Sequence, residues 1–248
     1  MLNEYLLTFD IDWSPDYVIE SVAQTLIDKG IKATWFVTHD SPGIKRLLKH
    51  NDIFEFGIHP NFLPGTSQGS NENEVMDYCT KLLPDSKIIR THALFQSTYL
   101  LRKLVKEYQI EIDVSLFLPE TPNLQPHMIR FDSKNKELTR VPYFWEDDME
   151  LYNSSMSLSI KNPKYHVNGL KVFDFHPILI FLNSDSMHDF ESLKKEKPLN
   201  SLEENIVKDL INSKSVGVKN FFDELCDEIL DKQKTSYTIS EIVEKWKS

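Results

Sequence analysis

The chain has 248 residues, with 28 basic and 38 acidic side chains and a formal net charge of −10. That length suits one large domain or two small ones, and 40% apolar with 11% aromatic residues supplies a packed core and excludes wholesale disorder. The acidic balance disfavours nucleic-acid binding through phosphates; Lys194, Lys195 and Lys197 are interleaved with Glu191 and Glu196 and read as a solvated face.

The first apolar run (Leu6, Leu7, Phe9, Ile11) has strand length and carries Asp10 and Asp12 at its end. In extended backbone, residues i and i+2 share a face. The two carboxylates are then expected to face one space, where their repulsion calls for a cation; a helix-capping turn is the alternative use of such acids. Ser14 reads as an N-cap with Pro15 at the first helical position. Val18, Val22, Ala23 and Leu26 recur at helical spacing, and Gly30 ends that helix.

A strand at 31–37 is followed by Thr38-His39-Asp40, and Ser41-Pro42 opens a helix to about residue 49. The strand at 53–58 carries His59 just beyond it, next to a Gly-, Ser- and Asn-rich loop at 64–73. Helix 75–83 leads to a strand at 87–91 with His92 beyond it, then to a helix over 97–108 and a strand at 112–117. The proline-rich middle, 119–168, has β-like pieces at 128–131 and 138–141 and suits an inserted hairpin or lid. A late strand at 170–175 carries His176. Residues 183–201 read as polar loop, and helices are expected at 202–212, 218–230 and 240–246.

Cys79 and Cys226 have neither metal-site spacing nor the density of a disulfide framework, so each is expected to be a small buried residue. The start, Leu2-Asn3-Glu4, lacks the basic and apolar regions of a signal peptide. No apolar run approaches the roughly 20 residues needed to span a bilayer. A soluble, cytoplasmic, single-domain protein is expected, with no feature that speaks to oligomeric state.

Strand–helix alternation predicts a parallel sheet with helices outside. Polar candidates recur at successive strand ends: Asp10, Asp12, His39, His59, His92 and His176. In an α/β barrel all such ends converge on one face.

With these residues in view, the chain resembles the polysaccharide deacetylase family (NodB-homology, carbohydrate esterase family four) over roughly 6–180. Five motifs and one core strand carry the resemblance. Thr8-Phe9-Asp10-Ile11-Asp12 is similar to the family's Thr-Phe-Asp-Asp with one residue inserted, and Lys32-Ala33-Thr34-Trp35-Phe36-Val37 looks like its core strand. Glu55-Phe56-Gly57-Ile58-His59 is similar to the segment bearing a metal histidine. Arg90-Thr91-His92 stands where the family has Arg-x-Pro. Trp145-Glu146-Asp147-Asp148 looks like the motif that walls the pocket, and Phe173-Asp174-Phe175-His176-Pro177 resembles the strand with the general-acid histidine. The wording around Asp10 and His59 is similar to the WbmS-like subgroup of lipopolysaccharide biosynthesis clusters.

The resemblance implies a distorted (β/α) barrel of about seven parallel strands, followed here by the C-terminal helical segment expected over 202–248. It implies a metal-dependent hydrolase that removes an acetyl or formyl group from an amino sugar, and a nucleotide- or lipid-linked precursor of a surface polysaccharide or lipopolysaccharide is the expected substrate. Asp10 would be the general base, Arg90 its partner, His176 the general acid, Asp12 and His59 metal ligands, and Trp145 and Asp147 substrate contacts. The family's second metal histidine would stand four residues after His59, where this chain has Leu63. Asn61 or His92 is then left to complete the ligand set. Such donors suit Zn²⁺, with Mn²⁺, Co²⁺ or Fe²⁺ as alternatives. Two other readings remain: a carbohydrate-binding relative without catalysis, and an amidase or imidase acting on a non-sugar C–N bond.

Overall fold

Strand β1 (Tyr5–Asp10) is buried along its whole length, as a strand with neighbours on both sides and packing on both faces must be. The structure is a computed structural model and describes residues 1–131, 137–153, 157–233 and 235–248. After β1 the chain alternates: α1 (Asp16–Lys29), β2 (Ala33–Val37), α2 (Pro42–Leu47), β3 (Phe54–Ile58), α3 (Glu72–Leu82), β4 (Ile88–Ile89), α4 (Thr98–Glu107) and β5 (Ile112–Asp113). Next come β6 (His127–Arg130), β7 (Glu137–Arg140), β8 (Trp145–Glu146), α5 (Asp147–Tyr152), β9 (Lys171–Phe175) and α6 (Pro177–Leu182). Four helices complete it: α7 (His188–Glu196), α8 (Glu204–Lys208), α9 (Val218–Gln233) and α10 (Ile239–Lys247). No helix among the described residues is long and apolar enough to cross a membrane.

The strands form one sheet in the order β6-β7-β5-β4-β3-β2-β1-β9-β8. Only β6, paired with β7, is antiparallel. The sheet curls into a half-barrel. Phe117 bridges Tyr143 in parallel across the remaining gap, the Leu118 N–H donating to the Tyr143 carbonyl at 3.0 Å and the Tyr143 N–H to that of Leu116 at 2.9 Å. This is the distorted barrel that the strand–helix alternation and the motifs predict.

Three local expectations give way. Ser14 does not cap α1: Pro15 occupies the cap, and the Ser14 hydroxyl is buried without a partner among the described residues. The stretch 119–168 does hold the β6–β7 hairpin, but it also returns to the barrel as β8 beside β9. Residues 183–201, read as loop, contain α7. Its signal was present in Met187, Phe190 and Leu193, spaced by three and buried, but the surrounding polar residues outnumber them. Ser41 caps α2 as its sequence suggests, Ser97, expected as the first residue of its helix, caps α4, and Gly30 closes α1 at φ 64°. Cys79 and Cys226 are buried free thiols.

The last two helices finish the core. Phe221 and Phe222 of α9 pack against Trp145, Phe9 and Phe175. From α10, Ile239, Ile242 and Val243 join Leu2, Leu6 and Phe36 inside the barrel. Its first turn is anchored to strand residues. The Ile239 N–H donates to Thr34 Oγ1 at 3.0 Å, Thr34 donates to Glu55 Oε2 at 2.9 Å, and the Ser240 N–H donates to the same carboxylate at 3.1 Å.

Candidate active site

Sheet register assembles the site. Thr8 pairs with Asp174 and Phe9 with Phe175, so Asp10 and His176 emerge together beyond β1 and β9. Ile58 pairs with Ile89, so His59 and Arg90 emerge together beyond β3 and β4. Strand β1 stops at Asp10. Asp12 and Trp13 lie in the left-handed region at φ 43° and 56°, so the pleat does not align the two aspartates. A tight turn brings Asp12 back over the strand ends instead, at a backbone cost of the kind that collects at functional sites.

Around Asp12 three donors converge. His59 Nε2 lies 3.3 Å and His92 Nδ1 3.1 Å from Asp12 Oδ1, and the two ring nitrogens lie 3.3 Å apart. Ligand atoms about 2.0–2.1 Å from a tetrahedral ion are separated by about 3.3 Å, so this nearly equilateral triangle has the span of three protein ligands on one divalent cation. Asn61, the other expected ligand, accepts the Leu63 N–H on its Oδ1 at 2.9 Å in a local turn. The donor set of one carboxylate and two imidazoles fits zinc or a similar first-row ion. Burial pushes the Asp12 carboxyl up, but the charge of His92 and hydrogen bonds from His59 and His92 outweigh it and hold the group well below the usual carboxylate range. Desolvation opposes charge on His92, and Asp12 more than reverses this, so its pKa is raised.

Arg90 is fully buried in the barrel, with its guanidinium between the rings of Phe36 and Tyr143 at 4.4 and 4.7 Å. It donates to Asp10 Oδ1 at 3.0 Å, to Thr8 Oγ1 at 2.9 Å and to Asp174. Asp174 is therefore committed to Arg90 rather than to a histidine. Its burial raises its pKa well above the ordinary value despite that cation. One Asp10 oxygen is thus tied to Arg90, and the other faces the site, with His59 Nε2 at 3.6 Å.

His176 stands on the far side of Asp12, with Nε2 3.7 Å from Asp12 Oδ2. Asp147 holds it from behind. Asp147 Oδ1 meets His176 Nδ1 at 2.7 Å and Oδ2 accepts the His176 backbone N–H at 2.7 Å. Burial disfavours charge on His176, but Asp147 overcomes this by charge and hydrogen bonding and raises its pKa well above the ordinary imidazole value. Burial raises the Asp147 pKa as well. Asp147 is fully buried with both carboxylate oxygens on His176, so it is placed to orient the imidazole where the motif implied a substrate contact.

Trp145 is likewise placed off the reaction space. It is buried, donates from Nε1 to Glu150 and packs on Phe175 and Phe221. Strand alternation explains this, because Trp145 of β8 faces the helices and its neighbour Glu146 faces the cleft. Glu146 and Asp148 lie with His176 as a second close group of polar atoms. Burial, with Asp148 adding to it, pushes Glu146 up to about 8.

Above these residues lies a cleft of about 600 Å³, lined by Asp10, Asp12, His92, Glu146, Asp148 and His176 on the barrel side. Phe190, Lys194 and Lys195 of α7 form the opposite wall. The lysines that read as a solvated face thus border the site. Tyr152 of α5 donates to Glu191 of α7 at 2.6 Å, tying the two walls together.

A model of the family described as "WbmS-like: Polysaccharide deacetylase" matches residues 7–194. The chain belongs to that family. Among solved structures it is similar to WbmS of Bordetella bronchiseptica, a protein assigned to polysaccharide deacetylation in O-antigen biosynthesis. The two share 28% identity and a TM-score of 0.75 over 90% of each chain. A polysaccharide deacetylase from Bacillus cereus is matched at 15% identity and a TM-score of 0.41, over 87% of this chain and 97% of that one. No curated protein matches the sequence. The matched span takes in every residue described for the site except Lys195, which follows its end. Family membership carries the expectation of a carbohydrate substrate and of a bound metal, and the Asp12–His59–His92 group fits the latter.

Proposed function

We propose that the protein removes an acyl group, acetyl or formyl, from the nitrogen of an amino sugar by hydrolysis, with a divalent ion held by Asp12, His59 and His92. The observation that carries this reading is the triangle of donor atoms with Asp10 on one flank and the Asp147-backed His176 on the other. When bound, such an ion polarises a carbonyl and acidifies water.

The rest of the chemistry falls to the chain. Asp10, fixed through one oxygen by Arg90, presents the other to take the proton of the attacking water. An amine leaves an acyl carbon poorly unless it is protonated. His176 carries the proton it needs on Nε2, because Asp147 stabilises the imidazolium and occupies Nδ1. The relative's assignment to O-antigen biosynthesis supports a surface-polysaccharide precursor as substrate, and the reading takes the reaction to be cytoplasmic. Zn²⁺ is the first choice of ion, followed by Mn²⁺, Co²⁺ and Fe²⁺.

The test is a deacylation assay on N-acetylated and N-formylated amino sugars, with cyclic imides and simple amides alongside. Metal-stripped protein is expected to be inactive and to recover with Zn²⁺ or Co²⁺, and Asp10→Asn to lose roughly a hundredfold or more in kcat. Imide turnover without sugar turnover would move the activity to a non-sugar C–N bond. Metal-independent sugar binding with no turnover would favour the binding-protein alternative.

A further inference from the structure

The reaction cleft does not end at Asp12. Asp12, His92 and Lys194 are shared with a second cavity of about 470 Å³. Its walls are the loop after β3, with Asn61, Thr66 and Ser67, and the end of α7 with the segment beyond it, with Lys194, Lys197 and Asn200. The chemistry of these walls differs from that of the reaction cleft. Among the described residues lining the second cavity, Asp12 is the only carboxylate, and both histidines already claim it. Besides His92 and the indole of Trp13, the polar lining is ammonium, amide and hydroxyl. Among the described residues, none of Lys194, Lys195 and Lys197 has a carboxylate partner; Lys194 lies over the Phe190 ring at 4.8 Å.

In a chain of net charge −10 the general field repels anions. Asp10, Glu146, Asp148 and Glu191 line the first cavity and not the second, whereas Lys194 and Lys197, without carboxylate partners among the described residues, line the second, so the two cavities differ in charge. We infer that this second cavity is a subsite for a phosphate-bearing part of the substrate, with the sugar amide at Asp12–His176 and a diphosphate against Lys194, Lys197 and the Thr66–Ser67 loop. A cavity of this volume is far larger than a single carboxylate needs, and tetrahedral oxyanions accept from several amide, hydroxyl and ammonium donors at once. The inference rests on the deacylase reading of the adjoining site. The same diphosphate chemistry is carried by nucleotide-linked and by lipid-linked sugars.

The test has two independent arms. In the first, inorganic pyrophosphate is titrated calorimetrically into the full-length protein. Binding is expected to weaken about tenfold in the Lys194→Gln/Lys197→Gln double variant and with rising salt. No binding, or binding that the variant leaves unchanged, overturns the subsite; the latter would put the anion on the metal. Uridine diphosphate and farnesyl diphosphate as competitors separate the two carriers, the tighter one naming the source.

In the second arm, kcat/KM is compared for uridine-diphosphate-linked N-acetylglucosamine and its neutral methyl glycoside. The preference for the phosphate-bearing sugar is expected to fall about tenfold in the variant, and an unaltered preference overturns the inference. Lysine-dependent pyrophosphate binding without turnover of either sugar sinks the deacylase reading and supports the subsite.

Discussion

Two groups of three side chains sit within a few ångströms of each other in this cleft, and they are built for different tasks. Asp12, His59 and His92 form one; Glu146, Asp148 and His176 form the other. In the first, a single oxygen, Asp12 Oδ1, faces two ring nitrogens that also face each other. Three lone-pair donors on a small triangle leave room for one shared cation. In the second, the imidazole has its own carboxylate behind it, and burial pushes Glu146 up to about 8. His176 and Glu146 are thereby biased toward their protonated forms. The difference lies in what stands behind each histidine. His176 has Asp147, whereas His59 Nδ1 is buried with no hydrogen-bond partner among the described residues.

The comparison breaks most severely at the first group. His59→Ala or Asp12→Ala is expected to abolish bound metal, read by elemental analysis after dialysis, and to lower kcat/KM by roughly a thousandfold or more. Activity that survives without metal would remove the distinction between the two groups.

Next in size is Asp147→Asn. Loss of the carboxylate behind His176 should lower kcat by about 10–100-fold while leaving metal content intact. The general acid must be protonated, so activity falls as pH rises through the His176 pKa. Asp147 raises that pKa, and the alkaline limb of the kcat profile should therefore move to lower pH in the variant. An unmoved limb would mean that another group donates the proton.

Glu146→Gln gives a smaller effect, on stability. Glu146 titrates near 8 when folded against an ordinary 4.5. Its stabilising contribution is complete below about pH 4.5 and is lost as pH rises through about 8. Wild type should lose roughly 3–4 kcal/mol more than the glutamine variant between pH 5 and pH 8, measured by urea unfolding at each pH. Parallel pH curves would show that Glu146 is ionised throughout.

The smallest effect expected is for Asn61→Ala. Its side chain makes a local turn, so metal affinity should change by no more than about twofold. A tenfold loss in a competition assay with a metal chelator would restore Asn61 as a ligand.

Much of this arrangement was legible in the sequence. Strand–helix alternation and the polar residues at strand ends led to a parallel sheet and to Asp10, Asp12, His59, His92 and His176, and the family resemblance added the distorted barrel and Arg90; the fold brings these six residues together. What escaped was set by tertiary geometry. Asp10 and Asp12 suggested a shared strand face, but the chain turns with positive φ at Asp12 and Trp13. The Trp145 motif was recognisable, whereas the split between a core-facing Trp145 and a cleft-facing Glu146 depends on β8 pairing with β9, which a two-residue strand does not announce. The choice of His92 over Asn61 rests on distances between residues that are remote in the chain. Helix α7 was hidden because a helix that walls a wet cleft needs few apolar residues.

The join between α10 and the barrel floor bears on how the family's span should be cut. The matched region stops at residue 194, yet the carboxylate of Glu55 takes the N-terminal N–H of a helix more than forty positions beyond it. A protein ended at that boundary would expose Leu2, Leu6 and Phe36 and strand a half-buried acid whose pKa is already raised. The stretch that marks kinship in sequence is therefore shorter than the stretch that folds. Tags, fusions and truncations should respect the longer one.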